Sequence, residues 1–427
     1  MTIALPPELV DQIVLATFAS YAALSFRPQP TKFTILASFV LVHHTGPPET
    51  TRIQVMSLGT GSKCLPRDKL PASGDALHDS HAEVLARRSA IRWLAQEIMR
   101  DCDADEQPEA SDTSQDTPTS RSRSPWICRE SCGKGKYRLR DGVKLVLYVS
   151  TVPCGDASTR LLASLQDPTM ASLKDANSWP TLPSEAPSRG RDDYSRLGVL
   201  RTKPGRADAP PVLSMTCSDK IARWNVLGMQ GALMSRLFEP VYVDGIVIGE
   251  VAEEMRTAVR EDCRRAFYGR LGDLNGLPTK YRISRPEICF TDRPFIHSRP
   301  SIPGASTSSN DALCHVHGDP QSPEVLINGL RRGVAPKHRS NPKYWPLTSK
   351  TSLLNLHLLT LKTLNVPRPS PSDTYHTIKR DADGAYQLAR KALLGPGAPF
   401  AGWLVSGARF ESFDAGGQIV GVVGSTD

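Results

Sequence analysis

The apolar residues change their period along the chain, and each change marks an element. Residues 9–26 are largely apolar but include Asp11 and Gln12, so they predict an amphipathic helix rather than a membrane span. From Phe33 to His44 β-branched and aromatic residues dominate. Thr45-Gly46-Pro47-Pro48 interrupts the run and Thr51 to Leu58 resumes it, which is the pattern of a β-hairpin. Helical spacing begins at His81 and continues to about Arg100, with Val84, Ile91, Leu94 and Ile98 on one stripe. Val143 to Ser150 reads as an inner strand that ends in the turn Thr151-Val152-Pro153-Cys154. Val212 to Thr216 predicts a short strand ending at Cys217 and leading into a helix, Val241 to Gly249 a further strand, and Val251 to Leu271 a helix. Strands alternating with helices imply a layered α/β domain.

Three stretches break this pattern. Residues 103–124 turn to Asp, Glu, Ser, Thr, Gln and Pro, residues 167–195 are dominated by Pro, Ser and Arg, and residues 300–311 read as a flexible loop. Segments of this kind bury too little apolar surface to offset their ordering entropy. They read as disordered insertions in one catalytic domain spanning residues 1–427. Nine cysteines are scattered singly, and no charged start with an apolar core precedes the first element, so the chemistry fits a reducing intracellular compartment, nucleus or cytoplasm. The net charge of +8 suits a polyanionic partner but discriminates little.

The chemistry lies in three places: His81-Ala82-Glu83, Pro153-Cys154-Gly155-Asp156, and Cys217 within Ser214-Met215-Thr216-Cys217-Ser218-Asp219-Lys220. Together they offer one imidazole, two thiolates and one spare carboxylate. A hydrolytic Zn²⁺ takes three protein ligands and leaves a position for water, and His81, Cys154 and Cys217 fill those three places. Glu83, two residues after His81, is then the proton shuttle that nucleobase deaminases place beside the metal. Both cysteines fall where an extended segment meets a helix N-terminus, which favours the thiolate. A structural zinc would want four ligands and no spare acid. Cys128 with Cys132, and Cys314-His315-Val316-His317, match no common metal spacing, and Gly133-Lys134-Gly135-Lys136 lacks the spacing of a nucleotide loop and reads as a turn with an RNA-facing charge.

A second pattern concerns cations. Arg87 and Arg88 fall on the buried stripe with Val84 and Ile91, and Lys220 and Arg223 lie beside Ile221, Trp224 and Leu227. Uncompensated buried cations are too costly to keep, so they need either carboxylate partners or one shared polyanion.

Cytidine-type deaminases take both thiolates from one Pro-Cys-x-x-Cys turn, whereas here the second comes from far downstream. With Ser57-Leu58-Gly59-Thr60-Gly61-Ser62-Lys63-Cys64 and Ser218-Asp219-Lys220-Ile221-Ala222-Arg223-Trp224-Asn225, this split set resembles the adenosine deaminases that act on RNA, and most closely their tRNA-type branch, from about Phe33 to Trp403. The resemblance implies a cytidine-deaminase-like layered α/β core expanded by extra helices into one editase domain. It implies hydrolysis of adenosine to inosine in tRNA, at the position 3′ of the anticodon in alanine tRNA, with Ser62 and Lys63 approaching the target ribose and phosphate. It also implies a buried inositol hexakisphosphate held by Arg87, Arg88, Lys220, Arg223, Trp224, Gln230, Lys350, Tyr375, Lys379, Tyr386, Arg390 and Trp403. His78 stands where an Asn is expected and Ala232 where a Ser is. The interval from Lys379 to Tyr386 is one residue longer, so Arg390 and Lys391 compete for one role. Thr202-Lys203-Pro204-Gly205-Arg206 occupies the place of the loop that enters the duplex in the double-stranded-RNA editors, but it is short and suits an adenosine already unpaired. Nothing in the chain resembles a double-stranded-RNA-binding domain, which weighs against an editor of duplex messenger RNA. The intact ligand set weighs against an inactive RNA-binding module, and the chain's size against a free-nucleoside deaminase.

Overall fold

A computed structural model describes residues 5–45, 50–105, 123–129, 135–164, 186–190, 193–203, 209–305 and 307–420. Its centre is an eight-stranded mixed sheet. The strands of the sheet and of the small ribbon beside it, in chain order, are β1 (Leu36–Thr45), β2 (Thr50–Thr60), β3 (Ser62–Cys64), β4 (Asp79–His81), β5 (Val143–Val149), β6 (Gly245–Ile248), β7 (Glu287–Phe290), β8 (Asp311–Val316), β9 (Glu324–Ile327) and β10 (Leu330–Arg331). The main sheet runs β7-β6-β5-β1-β2-β8-β9-β10, with β6 parallel to β5 and β7 and the other pairings antiparallel. β3 and β4 form a separate antiparallel ribbon.

Both faces of the sheet are covered, which explains why its central strands read as near-continuous apolar runs. Phe39 and Leu41 of β1 and Leu145, Leu147 and Val149 of β5 pack with α2 (Ala82–Asp105), α3 (Cys217–Leu227) and α4 (Arg256–Phe267). Val40, Val42, Val146 and Tyr148 face the other way, toward Leu9, Val10, Ile13, Val14 and Tyr21 of α1 (Pro7–Ala22). Gly59 lets β2 and α2 touch, because a Cβ there would lie 2.5 Å from the Ala82 carbonyl oxygen and the Ala86 nitrogen. Three C-terminal helices, α5 (Lys350–Thr363), α6 (Tyr375–Arg380) and α7 (Gly384–Leu394), complete the helical layer.

The expected elements are present with altered limits. His81 ends β4, and the helix starts at Ala82 and continues to Asp105. Residues 212–216 form no strand: Met215 makes only a bridge to Thr202, because Pro210 and Pro211 offer no N–H and Thr216 turns away to cap α3. The helix expected from Val251 to Leu271 is split, with 3₁₀ turns at Glu253–Met255 and Gly269–Leu271 on either side of α4.

Parts of each expected insertion are held in the fold. Ser124 is buried, with its N–H on the Asp101 carboxylate (3.0 Å) and its hydroxyl on Glu97. Ser188–Arg189 pairs with Arg201–Thr202, and the buried Arg201 guanidinium binds the carbonyls of Asp193 (2.8 Å) and Arg196 (2.5 Å). Ser308 bridges Phe33, and the Ser309 N–H donates to the Phe33 carbonyl at 2.8 Å. In each case backbone groups of polar residues are tied to the core, which a hydrophobicity pattern does not reveal. Residues 106–122, 165–185, 191–192 and 306 lie outside the described residues. No described helix is long and apolar enough to cross a membrane.

Candidate active site

His81, Glu83, Cys154 and Cys217 come together from three chain segments. The β3–β4 ribbon sets Ser62 opposite His81, Lys63 opposite Ser80 and Cys64 opposite Asp79. Asp79 then accepts from His81 Nδ1 at 2.8 Å, which leaves Nε2 as the ring atom available to a ligand. A carboxylate on the far nitrogen fixes the ring and its tautomer, as metal-bound histidines require. Among the described residues, the group whose possible ligand atoms all lie within 4.8 Å of one another is Cys64, Asp79 and His81, rather than His81 with Cys154 and Cys217. In that group Cys64 Sγ lies 3.7 Å from the Nδ1 that Asp79 already holds, so a metal there would displace the Asp79 contact, whereas Nε2 remains available on the other side of the ring.

Cys154 and Cys217 meet because two turns interlock. Gly155 has φ 108°, and a Cβ on it would lie 2.1 Å from Thr216 Oγ1. Thr216 and Asp219 form a capping box at the start of α3, and the Cys217 N–H points to the Cys154 sulfur at 3.4 Å. Only glycine allows the two turns to approach so closely. Gly155→Ala should cost about 1–3 kcal/mol of stability and at least about tenfold in activity, because a 1 Å displacement of a site group has large kinetic consequences. A melting curve beside a deaminase assay checks this, and wild-type values in both would mean that the turn yields without moving the thiol.

The electrostatics favour one ionised sulfur from the outset. A hydrogen bond from Cys217 holds the Cys154 thiol well below its ordinary value, whereas burial and the neighbouring Cys154 push Cys217 up. Glu83, second residue of α2, is 3% exposed, and its Oε2 has no hydrogen-bond partner. Burial pushes its carboxyl up, and the Cys154 charge adds to this.

Sequence reasoning missed Asp79 and Lys203. Lys203 was expected on an RNA-facing loop. It is instead 3% exposed, with Nζ 2.8 Å from Asp79 Oδ2 and 3.3 Å from Cys217 Sγ. Burial works against its charge, but Asp79 and the thiols of Cys217, Cys154 and Cys64 outweigh burial and keep it protonated. Asp79 also pairs with Lys220. Residues 204–208 of that stretch lie outside the described residues. Lys136, also expected to face RNA, pairs with Asp383 at 2.7 Å, while 133–134 and Cys132 are outside the described residues.

Beside this site lies a cavity of about 270 Å³. Eleven of the twelve residues expected around a polyanion line it: Arg87, Arg88, Lys220, Arg223, Trp224, Gln230, Lys350, Tyr375, Lys379, Tyr386 and Trp403. Arg390 is not among the lining residues, and neither is Lys391. Arg390 lies close enough to Arg223 for that charge to add to burial in lowering its pKa. The wall carries six cations and two carboxylates, Asp79 and Glu411. Lys220 pairs with Asp79, and Lys350 and Lys379 pair with Glu411 at 3.2 and 2.8 Å. The arginines have other company. Arg87 lies over Trp224 with its Nε unpartnered, Arg223 over Trp403, and Arg88 Nε donates to the Thr348 carbonyl at 2.5 Å. Burial lowers Arg87 to about 9 and Lys350 to about 8. Burial, with Lys350 and Arg88, drives His78 to about 3, so it is a neutral group like the Asn it replaces.

A layered α/β domain carrying an imidazole, two thiols and a buried carboxyl at one point is the frame of a hydrolytic deaminase. Residues 57–405 match the adenosine-deaminase (editase) domain, and the chain belongs to that family. It is similar to the tRNA-specific adenosine deaminase 1 of Schizosaccharomyces pombe, with 32% identity over 308 residues covering 70% of this chain and 71% of that one. The mouse protein of the same name is 26% identical over 521 aligned positions, covering 94% and 99%. The double-stranded RNA-specific editase Adar of Drosophila melanogaster is 29% identical over 245 residues, covering 56% of this chain and 32% of its own.

Proposed function

We propose that the chain is a zinc-dependent tRNA adenosine deaminase that converts adenosine to inosine. The observation that carries the reading is the Glu83 carboxyl, buried and partnerless on one oxygen beside His81 and the two thiols. An orphaned buried acid costs stability, and such costs are retained where chemistry uses them. His81, Cys154 and Cys217 would hold the metal, and their donor set of one nitrogen and two sulfurs suits zinc. Zinc, when bound, supplies the Lewis acidity that makes a water molecule acidic near neutral pH. Glu83 accepts one proton of the water that attacks C6 and delivers it to N1, then takes the second proton from the new C6 hydroxyl and passes it to the amino group as the C6–N bond breaks, so that adenosine and water become inosine and ammonia. Asp79 and Lys203 act through His81 and Cys217 and keep both in place. Cys217→Ser should lose metal and activity together, since a hydroxyl is a poor zinc ligand at neutral pH. Full metal occupancy in that variant would assign the third ligand elsewhere.

Full-length similarity to proteins named for tRNA supports the substrate class, and the family resemblance supports the adenosine 3′ of the anticodon in alanine tRNA. Ser62, opposite His81, and the exposed Lys63 would meet the target ribose and phosphate. Inosine mapping in total tRNA from cells lacking the protein tests this: loss at that one position supports the reading. Unchanged tRNA inosine with inosine lost from duplex RNA would transfer the activity to the rival substrate.

The cavity supports a second part of the proposal, that it encloses inositol hexakisphosphate. Two carboxylates against six cations leave an excess of four positive charges in a buried space, and carboxylate pairing accounts only for the lysines.

A further inference from the structure

We propose that residues 335–343, between β10 and α5, form a platform for the phosphate backbone of a tRNA outside the target loop. This inference rests on the tRNA reading above. The chain has 44 Asp and Glu among 427 residues, so a 48-residue stretch should hold about five; Val325 to Ser372 holds none and carries eight Lys and Arg. Three of the eight are neutralised within the fold, Arg331 by Glu324, Arg332 by Asp311 and Lys350 by Glu411. Lys337, Arg339 and Lys343 are not ion-paired among the described residues, and every residue from 335 to 343 is exposed.

The segment is built rather than loose. Pro336–His338 and Pro342–Tyr344 are consecutive 3₁₀ turns, each opened by a proline, and Asn341 Oδ1 caps the second by accepting from the Lys343 N–H at 3.0 Å. The backbone N–H groups of His338, Arg339, Asn341 and Tyr344 all bond within the segment. Lys343 Nζ lies 5.9 Å from the centre of the Tyr344 ring and the His338 ring 5.7 Å from it, so cations and aromatic surface alternate as they do where proteins meet RNA. The buried Trp345 anchors the end of the segment. A Cβ on Gly417 would lie 3.1 Å from its ring and 3.7 Å from the Ser73 carbonyl, which ties the platform to the loop that leaves the β3 strand of Ser62 and Lys63 and exposes Arg67 and Lys69. Three unneutralised cations on a preordered scaffold gain phosphate contacts with little ordering cost, and a tRNA extends far beyond the one nucleotide an active site holds.

The test uses the full chain with Lys337→Glu, Arg339→Glu and Lys343→Glu combined, with a melting curve to show that this exposed triple variant folds. Binding of a tRNA transcript and of its isolated anticodon stem-loop is measured over a range of KCl. The expected result is at least tenfold weaker binding of the whole tRNA, a dependence of log K on log salt shallower by about 2–3, and unchanged stem-loop binding and kcat. Wild-type affinity and salt slope in the variant would overturn the proposal. Equal weakening of tRNA and stem-loop would also overturn it, by placing the segment at the mouth of the site. If wild-type protein binds tRNA through these residues but forms no inosine, the deaminase reading fails while the platform stands.

Discussion

Glu83→Gln should lower the rate of inosine formation by about 10²- to 10⁴-fold, the usual contribution of a positioned acid-base group, with metal content and fold retained. Gln is isosteric with Glu and removes only the capacity to exchange a proton. The residue lies in the first turn of α2, where its Cα is fixed by the packing of that helix on β2 through Gly59. A structural carboxylate would be hydrogen-bonded on both oxygens, yet Oε2 has no partner. Removing an underused buried carboxyl should therefore leave the melting temperature unchanged or raise it, because the desolvation that pushes this carboxyl up also penalises its charge in the folded state. Single-turnover assays, metal analysis and a melting curve on one preparation separate the possibilities. Retention of more than about a tenth of the wild-type rate would move the proton transfer to another group. A large loss of stability would make Glu83 a structural residue.

The parts of this architecture that could be read from sequence are those in which a local pattern meets a local cause. The β1–β2 hairpin is marked by its turn residues, and the α2 stripe by Leu94 and Ile98, both fully buried. The residues His81, Glu83, Cys154 and Cys217 could be proposed together because their chemistry is unusual even when dispersed. Lys203 could not, since its partner Asp79 is 124 residues away and nothing local distinguishes a buried lysine from one among basic neighbours that faces RNA. Asp79 did leave a trace: a carboxylate two residues before a candidate metal-binding histidine is where an orienting partner sits. The limits of the insertions were misjudged for a related reason. Ser124, Ser188 and Ser309 are polar residues held by backbone and carboxylate hydrogen bonds, and composition records what a residue could bury, not what it could bond. Glu411, the partner of two cavity lysines, was likewise out of reach of any local pattern.

Arg88→Ala should give insoluble or zinc-poor protein rather than a folded enzyme with weaker affinity for its substrate. Arg88 reaches the cavity wall from the first half of α2, its Nε donates to the Thr348 carbonyl, and among the described residues it has no ion pair, so most of the guanidinium's charge has no carboxylate to answer it. Burial lowers its pKa, but a guanidinium stays protonated at neutral pH. Arg87, Arg88 and Arg223 repel one another across the cavity, and an anion in the space between them would relieve that repulsion. Removing one cation from such an assembly leaves anionic charge unbalanced in a low-dielectric interior, a loss on the order of 3–5 kcal/mol by analogy with broken buried ion pairs. That approaches the whole stability of a typical domain. The loss would also reach the deaminase site, because Lys220 on the cavity wall shares Asp79 with Lys203, and Asp79 orients His81. Arg88→Lys, which keeps the charge, should be milder than Arg88→Ala, whereas a purely steric role would make the two alike. The direct measurement is mass spectrometry of acid-released small molecules from purified wild-type protein. Inositol hexakisphosphate near one per chain is the expected result, and the absence of any polyanion at that stoichiometry would leave the arginines to their aromatic and carbonyl contacts alone.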